Sequence, residues 1–291
     1  MLAELFAVMA PVLTGAGLGY LWIRLGQPYP VEFVTRLVFN IGTPALIIAS
    51  LANAEIEAGN VGRTMLAAAL VIMAMAAATP LMARLLGKEW RVVLAPMMYP
   101  NTGNMGLPVV LYAFGSAGFA YGITVMVTVS LFQFTVGSVM ASRDNPLRTL
   151  VRTPTVYAIV ISLTLLLTDT ALPLWLANSV DLISGFTVPL MLITLGVSLA
   201  SIQVKSLTSG VGFSLLRIPV AAALAWSIGA LLGLPAMAQG ILVLQMSMPV
   251  AVFNYLFAQK ARREPEYVAS LVFCSTLLSL LYLPLLLAWL M

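Results

Sequence analysis

Pro100-Asn101-Thr102-Gly103-Asn104-Met105-Gly106-Leu107-Pro108 sits in the middle of an apolar run, Val92 to Phe114, that is otherwise long enough to cross a bilayer. Proline removes a backbone donor and clashes with the preceding turn, and glycine weakens a helix further. Unpaired N–H and C=O groups are costly in hydrocarbon, so irregular backbone persists there only where protein or a watery cavity covers it. The stretch predicts a helix broken at mid-depth, with its polar break lining a binding site. The competing reading is a kinked packing helix whose asparagines satisfy neighbouring backbone.

The chain around it reads as an all-α integral membrane protein. Of 291 residues, 61% are hydrophobic and 8% charged, against about 25% charged in a soluble domain. Pro11, Gly15, Gly17 and Gly19 recur inside the first apolar helix, as is common within membranes. The N-terminus lacks a basic region, and Leu2 to Ile23 is long enough to be a span, so no cleavable signal peptide is expected. Histidine is absent and there is one cysteine. Multi-ligand zinc, haem and iron–sulfur sites are therefore excluded, as are Ser-His-Asp and Cys-His nucleophiles. No cofactor and no enzymatic constellation are expected. Cys274, in an apolar run, reads as a packing residue.

Hydropathy gives ten spans, approximately 3–23, 32–52, 64–85, 92–114, 118–140, 154–168, 173–200, 211–232, 236–258 and 267–290. Among the fourteen Lys and Arg, Arg36 and Arg217 are drawn into spans. Arg24, Arg84, Lys88, Arg91, Arg143, Arg148, Arg152, Lys205, Lys260, Arg262 and Arg263 fall on one side, and Arg63 alone on the other. Cytoplasmic loops carry the excess of Lys and Arg, so both termini are expected to face away from the cytoplasm, in a cell (inner) membrane. The acids Glu55, Glu57, Asp169 and Asp181 fall on the poor side. The net charge of +4 thus reports orientation in a lipid bilayer rather than a nucleic-acid partner.

The two halves match in which spans are broken. Gly42-Thr43-Pro44 meets Thr187-Val188-Pro189, Gly106-Leu107-Pro108 meets Ser247-Met248-Pro249, and Leu86-Gly87 meets Leu232-Gly233. Residues 1–140 and 154–291 are expected to form two repeats joined by a short 141–153 connection. Five spans per half is odd, so the repeats are inverted, and the breaks of spans 4 and 9 should meet near the midplane.

At this point the sequence resembles the auxin efflux carrier family, the PIN-like membrane transporters. The carrying segments are Phe39-Asn40-Ile41-Gly42-Thr43-Pro44, Asn101 to Pro108, Leu195-Gly196-Val197-Ser198-Leu199-Ala200, Met248-Pro249-Val250-Ala251-Val252-Phe253-Asn254-Tyr255 and Ser275-Thr276-Leu277-Leu278-Ser279. The short connection resembles compact bacterial members rather than plant members with a long loop. The resemblance implies ten transmembrane helices, with helices 4 and 9 crossing at Pro108 and Pro249. It implies a scaffold of helices 1, 2, 6 and 7 that could pair into a homodimer, and a transport unit of helices 3–5 and 8–10. The implied activity is elevator-like movement of organic anions, from auxin-like indole acids to malonate- or malate-type carboxylates.

Read from the residues, the break makes a second half-helix near Gly106, with Pro108 in its first turn, where proline costs little. Such an N-terminus carries roughly half a positive charge and binds anions through free N–H groups. Pro249 is expected to do the same for span 9. Asn101, Thr102, Asn104, Gln245 and Ser247 can add side-chain hydrogen bonds. Asn101 is read as a direct carboxylate ligand or as the cap of the half-helix. Asn104 can face the cavity or the crossing helix, and Asn254 can be ligand or interhelical glue. Gln133, near Thr128 and Ser130, is a buried amide to which the resemblance assigns substrate contact. Asn40, Thr43 and Pro44 on span 2, with Pro189 and Thr194 on span 7, could close the cavity or simply pack. Arg36 and Arg217 are either substrate-anion contacts or snorkelling anchors.

No Asp or Glu lies at the middle of a span, so a built-in proton relay is not expected. Voltage-driven uniport is one option; Na⁺ held near the crossing by half-helix C-termini is the other. A bile-acid-type sodium symporter would share the crossed architecture, but would place an acidic residue beside the span 9 crossing, and Gln245 to Asn254 has none.

Overall fold

A computed structural model describes residues 2–52, 57–137, 153–168, 170–202 and 206–291. The 141–152 part of the connection, with Arg143, Arg148 and Arg152, lies outside them, as do Glu55, Asp169 and Lys205.

Among the described residues the regular structure is helical, joined by turns and short irregular links, with one isolated bridge. In order the helices are α1 (Leu2–Arg24), α2 (Val31–Leu37), α3 (Thr43–Ala52), α4 (Ala58–Leu85), α5 (Trp90–Met98), α6 (Leu107–Phe132) and α7 (Pro154–Leu167). They continue as α8 (Leu174–Ser184), α9 (Thr187–Ser201), α10 (Leu207–Leu231), α11 (Ala236–Met246), α12 (Phe253–Ala261) and α13 (Pro265–Leu290). Counted across their joints, seven helices among the described residues are long and apolar enough to cross a membrane, and Pro154–Leu167 and Ala236–Met246 are shorter apolar pieces. Phe6, Leu85, Leu182, Leu231 and Leu285 point outward, as side chains facing lipid do. The protein is a multi-pass membrane protein.

Gly115 (φ 63°, ψ −162°) turns the chain inside the Leu107–Phe132 run, as L-residues with a Cβ rarely can, so the predicted separation of spans 4 and 5 falls there. Two five-residue π turns precede X-Pro pairs. Val38–Gly42 leads into Thr43-Pro44, and Thr102–Gly106 leads into Leu107-Pro108. Thr43 N–H reaches back to Val38 O, and Leu107 N–H to Thr102 O. A proline cannot donate the next rung, and the wider turn re-pairs the backbone around it.

α1 packs along α9, α3 against α7, α4 beside α5 and α10, and α10 beside α11 and α13. The α1–α9 contact is backbone to backbone. A methyl at Gly19 would run into Ile193 O, and one at Gly196 into Ala16 O. Small residues of this kind let membrane helices pack where lipid offers no hydrophobic drive. Lys88 and Glu264 pair at 2.6 Å between the α4–α5 and α12–α13 turns, with the Lys88 ammonium 4.3 Å from the Tyr267 ring centre. Arg63 reaches Gly233 O at 3.3 Å, linking the start of α4 to the α10–α11 turn. The two connections of each pair thus lie together.

Candidate functional site: a crossing of two broken helices

α5 stops at Met98 and the chain runs extended from Tyr99, while α11 stops at Met246 and reaches its own extended piece through a turn at Ser247. The two extended pieces meet as an antiparallel bridge between Pro100 and Val250. Asn101 N–H donates to Pro249 O at 2.7 Å, and Ala251 N–H donates to Tyr99 O at 3.2 Å. The crossing therefore lies at Pro100 and Val250 and not at Pro108, which stands in the first turn of α6. Pro249 lies in the extended link, four residues before α12, rather than in the first turn of a half-helix. The reason is donor supply: an extended pair needs N–H groups on its paired edges, and Asn101 and Ala251 supply them while the prolines cannot. The second half of span 4 also begins earlier than Gly106, at the π turn from Thr102.

The rest of the broken backbone is paired by side chains from other helices. Asn254 Nδ2 donates to Tyr99 O at 2.9 Å, and Tyr282 OH to Ser247 O at 2.6 Å. Val250 N–H donates to Ser275 Oγ at 3.0 Å. Arg217 donates from Nε to Pro96 O at 2.9 Å and from Nη1 to Met248 O at 2.8 Å. Pro96 O would ordinarily accept from the fourth residue on, but that residue is Pro100, which has no N–H. Arg217 is fully buried among these carbonyls, a contact the sequence left between substrate and anchor.

Several buried polar groups, at the crossing and elsewhere among the described residues, have donors or acceptors to spare. Asn101 Nδ2, Gln245 Oε1, Ser247 Oγ, Asn254 Oδ1, Gln133 Nε2, Thr43 Oγ1 and Thr187 Oγ1 are buried with no hydrogen-bond partner within the protein. Such groups are rare in folded proteins and mark places where water or a ligand completes the pairing. Gln245 Nε2 reaches Gly122 O at 3.3 Å. Its carboxamide lies where a Cβ on Gly106 would be, so the glycine makes room for the glutamine. Gly103 is not pinched in this way, its nearest neighbour being Met126 Sδ at 3.7 Å. Thr102 is buried.

A cleft of about 420 Å³, part of it open to solvent, lies beside the crossing. Asn104 and the pair Val252–Phe253 line it, together with Phe39, Thr194 and Ser198. It thus runs between the broken α2–α3 and α9 on one wall and the starts of both second half-helices on the other. In the first turn of α12 the Asn254 and Tyr255 amides turn back on Ala251 O and Val252 O, at 3.0 Å each, so the field at this end comes from the helix dipole. Phe39 and Phe253 meet edge to face across it, with ring centres 5.1 Å apart. Asn40 is exposed and does not line the cleft. Pro44 and Pro189 are partly buried or exposed and sit in the first turns of α3 and α9. Arg36 is exposed and ion-paired to Glu32 at 2.6 Å on its own helix. Sequence reasoning did not single out Tyr282, Thr187 or Ser198 as site residues; a hydroxyl deep in an apolar span was the available signal.

By fold and site together, this is a multi-span membrane protein built on two interrupted helices that cross. The family model described as membrane transport protein matches this chain twice, over residues 5–148 and 138–287. The chain belongs to that family of membrane transport proteins. It is 28% identical over 297 residues to an uncharacterized transporter of Methanothermobacter thermautotrophicus, covering 96% of this chain and 95% of the relative. It is also 28% identical over 198 residues to an uncharacterized transporter of Methanocaldococcus jannaschii, covering 65% of this chain and 64% of the relative's length.

Proposed function

We propose that the protein is a carrier, not an enzyme, that moves small organic anions bearing a carboxylate across the cell's inner membrane. One observation carries this reading: Asn104, at the start of one second half-helix, and Val252 and Phe253, at the start of the other, line a single cleft. Two helix N-termini supply roughly one positive charge between them, enough to hold a carboxylate without a fixed cation in the cleft wall. Asn101, Thr102, Gln245 and Ser247, buried beside the crossing, supply hydrogen bonds to the anion or to its waters.

The architecture we read is ten spans in two inverted repeats. The contacts of α1 with α9 and of α7 with α3 exchange under that symmetry, as do those of α4 with α5 and α10 with α11. Spans 1, 2, 6 and 7 then form a scaffold, through which two copies could pair, and the crossing unit slides along it as an elevator. The face carrying Lys88, Arg91 and Arg263 is cytoplasmic by the excess of basic residues, with both termini on the other side. Auxin-like indole acids and malonate- or malate-type dicarboxylates are the substrate classes that the PIN-like resemblance brings.

A thermal-shift screen of purified protein against acetate, malonate, malate and indole-3-acetate tests the reading. Stabilisation by a carboxylate, weakened in Asn101→Ala and Asn104→Ala, supports it. No shift and no vesicle uptake with any of the four would end it, and unchanged affinity in Asn101→Ala would remove that residue from the site.

A further inference from the structure

Arg217 carries a charge in the interior with no carboxylate to meet it: among the described residues none of the ion pairs includes it. A guanidinium so placed is costly unless something else offsets its charge. The neighbours it does have are the C-terminal ends of two half-helices. Pro96 lies in the last turn of α5, and Met248 follows the end of α11. Each such end carries roughly half a negative charge on its orphan carbonyls. The two ends and one guanidinium come close to neutral together. Nε and Nη1 bridge them at 2.9 and 2.8 Å, and Nη2 has no partner within the protein.

We propose that Arg217 is a resident cation of the crossing, occupying the carbonyl cage that a free Na⁺ would otherwise have to fill. Resting on the anion-carrier reading above, this makes Arg217 a positioning residue rather than a substrate contact. It clamps α5 to the chain beyond α11 from behind, so that the two N-terminal ends in front keep their geometry and their positive field. The cation is covalently attached, so the carrier needs no soluble one, and the anion moves with membrane voltage alone. Lysine keeps the charge but offers a point ammonium instead of a fork. A neutral side chain of similar length leaves Pro96 O and Met248 O empty and facing each other.

The test uses the intact protein and its Arg217→Lys and Arg217→Met variants in proteoliposomes, with malonate and indole-3-acetate as probes. Flux is read in Na⁺, K⁺ and choline buffers, beside unfolding temperature in detergent. Wild type is expected to carry at equal rates in all three buffers. Arg217→Lys is expected to keep at least about a tenth of that rate, and Arg217→Met to fall about tenfold or more in choline. Added Na⁺ should raise the unfolding temperature of Arg217→Met alone, because only there is the cage vacant. Wild-type flux that requires Na⁺ overturns the proposal. So does full activity of Arg217→Met in choline, or complete loss in a folded Arg217→Lys. If Arg217→Met does not fold, wild type and Arg217→Lys still decide. Absence of any wild-type flux with either probe would instead strike the carboxylate reading.

Discussion

Gly106→Ala probes the crossing with a single methyl. The backbone there is ordinary helix (φ −65°, ψ −47°), so alanine adopts it without strain. On propensity alone the change should help, by up to about 1 kcal/mol. The contact opposes it. An added Cβ would overlap Gln245 Oε1 and stand 2.9 Å from Cδ and 3.3 Å from Nε2. Gln245 is fully buried and cannot swing into open space. Overpacking costs about 1–3 kcal/mol, and moving the carboxamide from Gly122 O adds about 1 kcal/mol. The net expectation is a loss of about 1–3 kcal/mol. Thermal unfolding in detergent reads it, in a cycle with Gln245→Ala. With the glutamine shortened, the cost of Gly106→Ala should largely vanish, a coupling expected between touching residues. Gly106→Ala as stable as wild type, or equally damaging in both backgrounds, would refute the close approach of residues 106 and 245.

Three other outcomes are expected. Asn254→Leu removes one of two donors to Tyr99 O while Ala251 N–H remains, so unfolding free energy should drop by only about 1–2 kcal/mol. Gly196→Val, driven against Ala16 O with backbone on both sides, should cost more than about 3 kcal/mol and show as loss of monodisperse protein on gel filtration. Lys88→Ala breaks a partly exposed pair with Glu264, so its effect on unfolding should stay below about 1 kcal/mol and shrink further as salt is raised.

The break in span 4 was legible because prolines, glycines and asparagines have few other reasons to cluster at mid-depth. The partner break in span 9 was legible from Pro249, and the pairing of the two from the repeat. The residue at which they cross was not. The family resemblance put it at Pro108, yet the bridge forms at Pro100, where extended chain and a neighbouring free N–H coincide. The π turns before Thr43-Pro44 and Leu107-Pro108 were equally hidden, since hydropathy says nothing of whether a proline gap is closed by a kink or by a wider turn. Arg217 could be placed in a span but not at a destination. Its acceptors, Pro96 and Met248, lie far off in sequence; one was left open by Pro100 and the other by the end of α11. Asn40 matched a site residue by its neighbours, but the turn ahead of Pro44 sends it outward.

The bridge between Pro100 and Val250 also has a bearing on biogenesis. Its strands are made far apart in time, so the earlier one enters the bilayer while the amides and carbonyls it will need are still unsynthesised. Until residue 251 has emerged, Tyr99 O lacks both its donors, and hydrocarbon offers no substitute. The nascent first half must wait under the shelter of the insertion machinery or of a folded neighbour. A chain cut after the fifth span should be cleared by quality control rather than accumulate.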